Sequence, residues 1–121
     1  MEYLALIYAD ETVWASMDDG DRGSWYERYR AFASDAEKAG VMAGGNELAP
    51  TGDATTVRVR GGETLVTDGP YAEVKEALGG YFLLECESMD EALDWAARIP
   101  GALHGAGEVR PVHMDPTEVQ L

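Results

Sequence analysis

The sequence predicts an α+β fold, in which helices pack against one antiparallel sheet. Strand-like segments alternate along the chain with two segments of helical periodicity. Near the middle, Gly61-Gly62 separates two short runs of alternating residues, which indicates a β-hairpin. The chain has 121 residues, the usual size of one domain. We therefore expect a single domain over residues 1–121, in which residues 115–121 form a tail.

The first strand is predicted over residues 2–9, and its side chains are apolar on both faces of the strand. A strand of this kind needs cover on both sides, because either face would otherwise expose apolar surface to water. One face carries Leu4, Leu6 and Tyr8, and the other carries Tyr3, Ala5 and Ile7.

The first helix begins within a polar connection over residues 10–23. Asp18 or Asp19 could cap an early start, whereas Ser24 and Glu27 form a capping box for a later one. An apolar stripe at helical spacing follows, and Gly40 is a natural C-terminal stop. The stripe consists of Trp25, Tyr29, Phe32, Ala36 and Ala39.

The middle of the chain predicts a weak strand followed by the hairpin. Residues 41–49 form the weak strand, in which Gly44-Gly45 indicates a bulge or a close approach of backbone. Residues 55–67 form the hairpin. Its alternation predicts that Val57 and Val59 point inward.

The last third predicts a strand, a helix and a strand. Residues 80–87 are the central strand by composition, and Ser88 with Glu91 forms a capping box for the helix. Residues 107–114 form the last strand, which Pro111 places on an edge or beside a bulge. The predicted buried stripe of the helix consists of Met89, Ala92, Leu93, Ala96 and Ala97.

The resulting order of elements is a ferredoxin-like βαββαβ plan with an inserted β-hairpin. This plan places both helices on one face of the sheet and leaves the other face open. Tyr81 and Leu83 make the central strand apolar on that second face as well. Soluble monomers rarely expose an apolar patch of several hundred square ångströms. We therefore expect a two-fold homodimer that pairs sheet face to sheet face.

The charge and the cysteine content limit the partners and the location. Nine basic and 23 acidic residues give a net charge of −14, which repels nucleic acid and anionic lipid. The single cysteine, Cys86, cannot form an internal disulfide, which is typical of a reducing cytoplasm. The sequence shows neither a signal peptide nor an apolar run long enough to span a bilayer. We expect a cytoplasmic protein that binds neither nucleic acid nor membrane.

Residues 67–81 resemble the YCII-related family, in its branch with a DGPF motif. Thr67-Asp68-Gly69-Pro70-Tyr71 matches the motif, with Tyr71 where the family usually has phenylalanine. The resemblance extends over nearly the whole chain, and it implies a dimeric α+β barrel of mostly uncharacterised function. Some relatives are suspected small-molecule enzymes, and some resemble accessory proteins of extracytoplasmic-function sigma factors. Other matching stretches lie at residues 3–8, 54–58, 73–76, 79–81, 90–92, 95–100 and 108–111.

The broader family has a proposed catalytic dyad, a histidine near the start of the first helix and an aspartate late in the second. Here residues 24–26 read Ser-Trp-Tyr, and residues 97–99 read Ala-Arg-Ile. Neither member of the dyad is present, so the resemblance does not carry that mechanism over to this chain.

The residues around the motif predict a ligand site in a cleft beside the sheet. Asp68 either caps a short helix or serves as a base or ligand contact. Glu73 and Glu76 would be neighbours on a helical turn, either as a solvated face balanced by Lys75 or as a cation site. The expected ligand is a small polar or anionic molecule. The predicted lining is Asp68, Tyr71, Glu73, Lys75, Tyr81 and Arg110.

Arg110 lies in a strand among apolar neighbours, so it needs a partner. That partner is either a carboxylate, such as Glu108 or Asp68, or an anionic ligand. The two histidines, His104 and His113, lack zinc spacing, so neither a metal nor another cofactor is expected.

Two functions remain open at this point. In the first, the dimer either only binds the small molecule or also turns it over, with Asp68 or Glu73 as the base. In the second, the protein is a non-catalytic interaction or regulatory protein whose acidic surface meets a basic partner.

Overall fold

A four-stranded antiparallel sheet and a separate hairpin make up the β structure. The structure is a computed structural model, and it describes residues 1–118; the last part of the predicted tail, residues 119–121, lies outside the described residues. The elements are β1 (Glu2–Ala9), α1 (Glu11–Ser16), α2 (Asp19–Lys38), β2 (Met42–Glu47), β3 (Thr55–Arg60), β4 (Glu63–Asp68), β5 (Ala77–Glu85), α3 (Met89–Ala96) and β6 (Ala106–Pro111).

The sheet has the strand order β2–β5–β1–β6, and all of its pairs are antiparallel. This order with helices between the strands is the predicted ferredoxin-like α+β plan. The edge position predicted for the last strand is confirmed, since β6 pairs only with β1 within the described residues. The predicted irregularity at Gly44-Gly45 is confirmed by a register shift between Met42 and Gly44.

Two helices form where the sequence predicted one. The carboxylate of Asp10 caps α1 by accepting a hydrogen bond from the amide of Thr12 at 2.9 Å. Asp18 caps α2 by accepting from the amide of Asp21 at 2.7 Å, so the early start is confirmed. The sequence did not predict α1, because this helix has six residues and buries none of them. The predicted stop is confirmed, since Gly40 has a φ of +72°.

The core lies between the helices and one face of the sheet. Phe32 of α2 packs edge-on against Phe82 of β5, with ring centroids 5.1 Å apart, and it also contacts Trp95 of α3. The predicted stripe of α3 is partly wrong, since Leu93 is exposed while Trp95 packs against the core. This rotation of the helix buries the larger apolar ring. The buried strand residues on this face include Tyr3, Ala5, Ile7 and Leu84.

The opposite face of the sheet carries Leu4, Leu6 and Leu83, each of intermediate exposure. Leu4 pairs with Leu83 across β1 and β5, so their side chains lie together on this face. We call it the open face, because α2 and α3 bury the other one.

The hairpin of β3 and β4 forms a sheet of its own. Its two-residue loop is confirmed, with φ values of +57° at Gly61 and +78° at Gly62 that suit a type I′ turn. The prediction that Val57 and Val59 point inward is wrong, since these side chains are 63% and 61% exposed. The alternation correctly placed both valines on one face, but within the protomer nothing buries that face.

Candidate functional site

A cleft of about 790 Å³ opens between α1, α2 and one end of the sheet. Part of its floor is backbone without side chains, because β2 and β5 contribute Gly45, Gly79 and Gly80 there. A Cβ on Gly80 would lie 2.9 Å from the carbonyl oxygen of Asn46, so a side chain would not fit at that position. Glycine therefore allows the two strands to approach closely, and at Gly45 it makes room for the ring of Phe82, which would lie 2.6 Å from a Cβ there.

Aromatic rings form the walls of the cleft. Trp14 of α1 meets Tyr26 of α2 edge to face, with ring centroids 5.4 Å apart. Deeper in the cleft, Tyr29 stacks near Phe82 at 6.2 Å. Burial raises the pKa of the Tyr29 hydroxyl, which is protonated at neutral pH even at its ordinary value. Rings of this kind offer a flat apolar ligand a large contact area.

The polar groups of the cleft are mainly acidic. The hydroxyl of Tyr26 donates a hydrogen bond to Oε1 of Glu47 at 3.1 Å. Desolvation, and then this carboxylate, raise the pKa of Tyr26. The two oxygens of Glu11 accept hydrogen bonds from the amide and hydroxyl of Thr51, at 2.8 and 2.7 Å. These bonds join α1 to the turn that follows β2 and fix one side of the cleft.

Two further charges lie at the cleft. Hydrogen bonds from Thr12 hold the pKa of Asp10 below its usual range, and the charge of Lys75 adds to this effect. Arg30 also lines the cleft, but it forms an ion pair with Glu27. The positive charge of Arg30 is thus largely balanced, whereas Asp10, Glu11 and Glu47 give the cleft a negative character.

The structure places Tyr81 and Arg110 on the open face rather than over the cleft. Tyr81 pairs with Leu6 and Arg110 with Leu4, so both side chains point away from the helices. They lie on opposite sides of β1, at least about 10 Å apart. The backbone of Tyr81 still borders the cleft, while its hydroxyl accepts a hydrogen bond from the side chain of Asn46 at 3.0 Å.

Arg110 forms an ion pair with neither Glu108 nor Asp68, so the carboxylate partner predicted from the sequence is wrong for both residues. Asp68 ends β4 and is exposed, and Gly69 turns the chain after it with a φ of +103°. The turn suits glycine, as the motif indicates.

The rest of the motif forms no helix. Residues 70–76 are irregular, so the predictions of a short helix capped by Asp68 and of a helical pair Glu73–Glu76 are wrong. Tyr71 is exposed, with its ring 5.2 Å from the guanidinium carbon of Arg58. The six predicted site residues therefore do not come together within one protomer.

The remaining candidate residues have structural surroundings. His104 is exposed, and its ring lies 4.9 Å from that of Trp25. Cys86 is buried, and burial raises the pKa of its thiol, which makes the thiol less reactive. Within residues 1–118, no three side chains of metal-binding type come together. No helix of the described chain is long and apolar enough to cross a membrane.

Sequence reasoning missed the cleft because its lining comes from separate elements. Trp14 lies in a helix that was not predicted, and Glu47 lies near the end of a strand of low apolar content. The usable signal was the glycine content of two adjacent strands, since Gly45 and Gly80 mark the place where no side chain rises from the sheet.

Comparison with known proteins agrees with the resemblance carried by the motif. The family model for the YCII-related domain matches residues 1–114. The uncharacterized protein R00369 of Rhizobium meliloti (strain 1021) is 39% identical over 114 residues, which cover 93% of this chain and 92% of that protein. Assignment to the DGPF branch stays a prediction. The chain belongs to the YCII-related family.

Proposed function

We propose that the protein is a homodimer that binds one small molecule in the cleft of each protomer. The cleft itself supports this proposal most strongly. Its volume of about 790 Å³ lies within the roughly 300–1,000 Å³ range of small-molecule sites. Its glycine floor and aromatic walls also match the usual lining of such sites, which is mostly apolar with a few polar groups.

The chemistry of the cleft favours a neutral or cationic ligand with a flat apolar body. The body would lie between the floor and the rings of Trp14 and Tyr26. A hydrogen-bond donor or an ammonium group of the ligand would meet the carboxylate of Glu47. An anionic ligand, as the sequence predicted, would face three acidic groups and an arginine already paired with Glu27.

The dimer is proposed on the basis of the open face. Leu4, Leu6 and Leu83 lie together there, and the helices pack on the other side of the sheet. Covering about 600 Å² of such a face would contribute on the order of 15 kcal/mol before the costs of association. In a pair of this kind, Tyr81 and Arg110 would lie at the seam between the two protomers. Arg110 could bind an anionic group there.

The proposal concerns binding and specifies no reaction. The bases predicted from the sequence, Asp68 and Glu73, are exposed and do not line the cleft. Within the cleft, the hydroxyl of Tyr26 already donates to Glu47, which leaves the hydroxyl of Tyr29 to donate a hydrogen bond to a ligand.

The test uses size-matched aromatic amines, neutral aromatics and aromatic carboxylates, with saturation-transfer NMR as the readout. We expect the amines and neutral compounds to bind in preference to the carboxylates. Ala33→Trp should abolish binding by filling the cleft, whereas Ala31→Trp, on the far side of α2, should preserve it. Glu47→Gln should remove the preference for amines.

Two results would contradict the proposed site. Binding that survives Ala33→Trp would place the ligand elsewhere. A preference for carboxylates that Arg110→Ala abolishes would place it on the open face, with the residues predicted from the sequence.

The alternative, a non-catalytic interaction protein such as a sigma-factor-associated accessory protein, has one supporting observation. The hairpin exposes an apolar face outside the open face.

A further inference from the structure

The hairpin of β3 and β4, here called the arm, has one face that its own protomer leaves uncovered. Val57 pairs directly with Val66, and Val59 lies two residues from Val57 on the same side. The three side chains are between 61% and 66% exposed. They form a contiguous apolar face on a two-stranded sheet, and such a sheet is marginally stable in water without further packing.

The other face of the arm is partly covered by the chain that follows it. Arg58 lies on that face, and the ring of Tyr71 lies 5.2 Å from its guanidinium carbon. The hydroxyl of Thr56 donates a hydrogen bond to the carbonyl oxygen of Gly69 at 2.9 Å. The returning segment therefore supports the arginine side and leaves the valine side for another surface.

The distribution of charge indicates which surface can approach. The arm contains Arg58, Arg60, Glu63 and Asp68, so its net charge is zero. The net charge of −14 therefore lies entirely on the rest of the chain. Two copies of such an acidic protein repel each other, and the repulsion is weakest where the two surfaces that meet are neutral. The arm is a neutral apolar surface that one copy can bring against another without adding to that repulsion.

We propose that the arm of each protomer packs its valine face on a second copy of this chain. Two-fold symmetry would bury both arms in the same way, which doubles the area gained from one short hairpin. The contact is additional to the pairing of open faces in the proposed function. It does not depend on a ligand in the cleft, so it stands if ligand binding fails, whereas a monomeric protein would contradict both this contact and the proposed homodimer.

The first test compares two variants of the arm by sedimentation equilibrium. Val57→Thr, Val59→Thr and Val66→Thr are combined in one variant, because threonine keeps the shape and strand propensity of valine. The control is Leu65→Thr on the arginine face. We expect the dissociation constant of the dimer to rise at least about tenfold in the triple variant and less than about twofold in the control. Equal effects, or a monomeric parent protein, would overturn the proposal.

The second test identifies the surface that the arm contacts. A chain with Cys86→Ala and Glu63→Cys is spin-labelled at position 63. It is then mixed with a second preparation of the protein, which carries no spin label and is enriched in ¹⁵N. We expect the spin label to enhance the relaxation of amides in the ¹⁵N copy, because only a label on another copy in contact with it can produce that effect. A dimer without enhancement would overturn the proposal, as would enhancement that appears only after an unrelated partner protein is added.

Discussion

The four-stranded sheet and the arm are both antiparallel β structure, yet they differ in what covers them. Leu84 of β5 is fully buried, whereas Val66 of β4 is two-thirds exposed. Each side chain lies on the apolar face of its strand. Alternation therefore shows which residues share a face, but not whether another layer lies against that face. That depends on where the helices pack, and here they pack on the sheet alone.

The largest expected difference between the two regions comes from deleting buried methyl groups. Leu84→Ala should lower the free energy of unfolding by about 2–5 kcal/mol, because it leaves a cavity in the core. Val66→Ala should change it by no more than about 0.5 kcal/mol at concentrations where the protein is monomeric. Urea unfolding of both variants measures these values. Similar losses would mean that the arm is already buried within its own protomer.

An intermediate effect is expected where the backbone is tightly packed. Gly80→Ala should cost about 1–3 kcal/mol, because its Cβ would lie 2.9 Å from a carbonyl oxygen of β2. Gly79→Ala is the matched control, since its Cβ would meet nothing closer than 4.0 Å. The two variants are compared by thermal unfolding. If both are neutral, the floor of the cleft is looser than the structure indicates.

A smaller effect than that of Gly80→Ala is expected where Tyr71 meets the arm. Arg58→Ala should weaken the arm by about 0.5–1 kcal/mol, because it removes the charge over the ring of Tyr71. Arg60→Ala, on the same face and nearer the turn, should have a smaller effect. Amide hydrogen exchange of β3 and β4 measures the local stability. Exchange that is faster for Arg60→Ala than for Arg58→Ala would show that Tyr71 does not support the arm.

Local signals were sufficient for much of the fold. The bounds of the first strand, the stop at Gly40 and the turn at Gly61-Gly62 each follow from residues adjacent in sequence, and the cap at Asp18 was one of the alternatives that such residues offered. The order of these elements then predicted the ferredoxin-like plan. Such features are predictable because backbone geometry and capping depend on a few neighbouring residues.

Features that depend on distant parts of the chain were harder to predict. The cleft requires Trp14, Glu47 and Gly80 to meet from three elements, and no local spacing indicates that meeting. The predicted site failed to gather within one protomer for the same reason, since Asp68 and Arg110 lie on strands of different sheets. Asp68 ends β4 of the arm, whereas Arg110 lies within the edge strand β6.

Hydrogen exchange measured at several protein concentrations tests the contrast between sheet and arm most directly. Amides of β5 should be protected at every concentration, because their strand lies in the middle of the sheet. Amides of β3 and β4 should exchange rapidly in dilute protein and become protected as the second copy binds. Protection of the arm that equals that of β5 in the most dilute sample, or that does not change with concentration, would contradict the account.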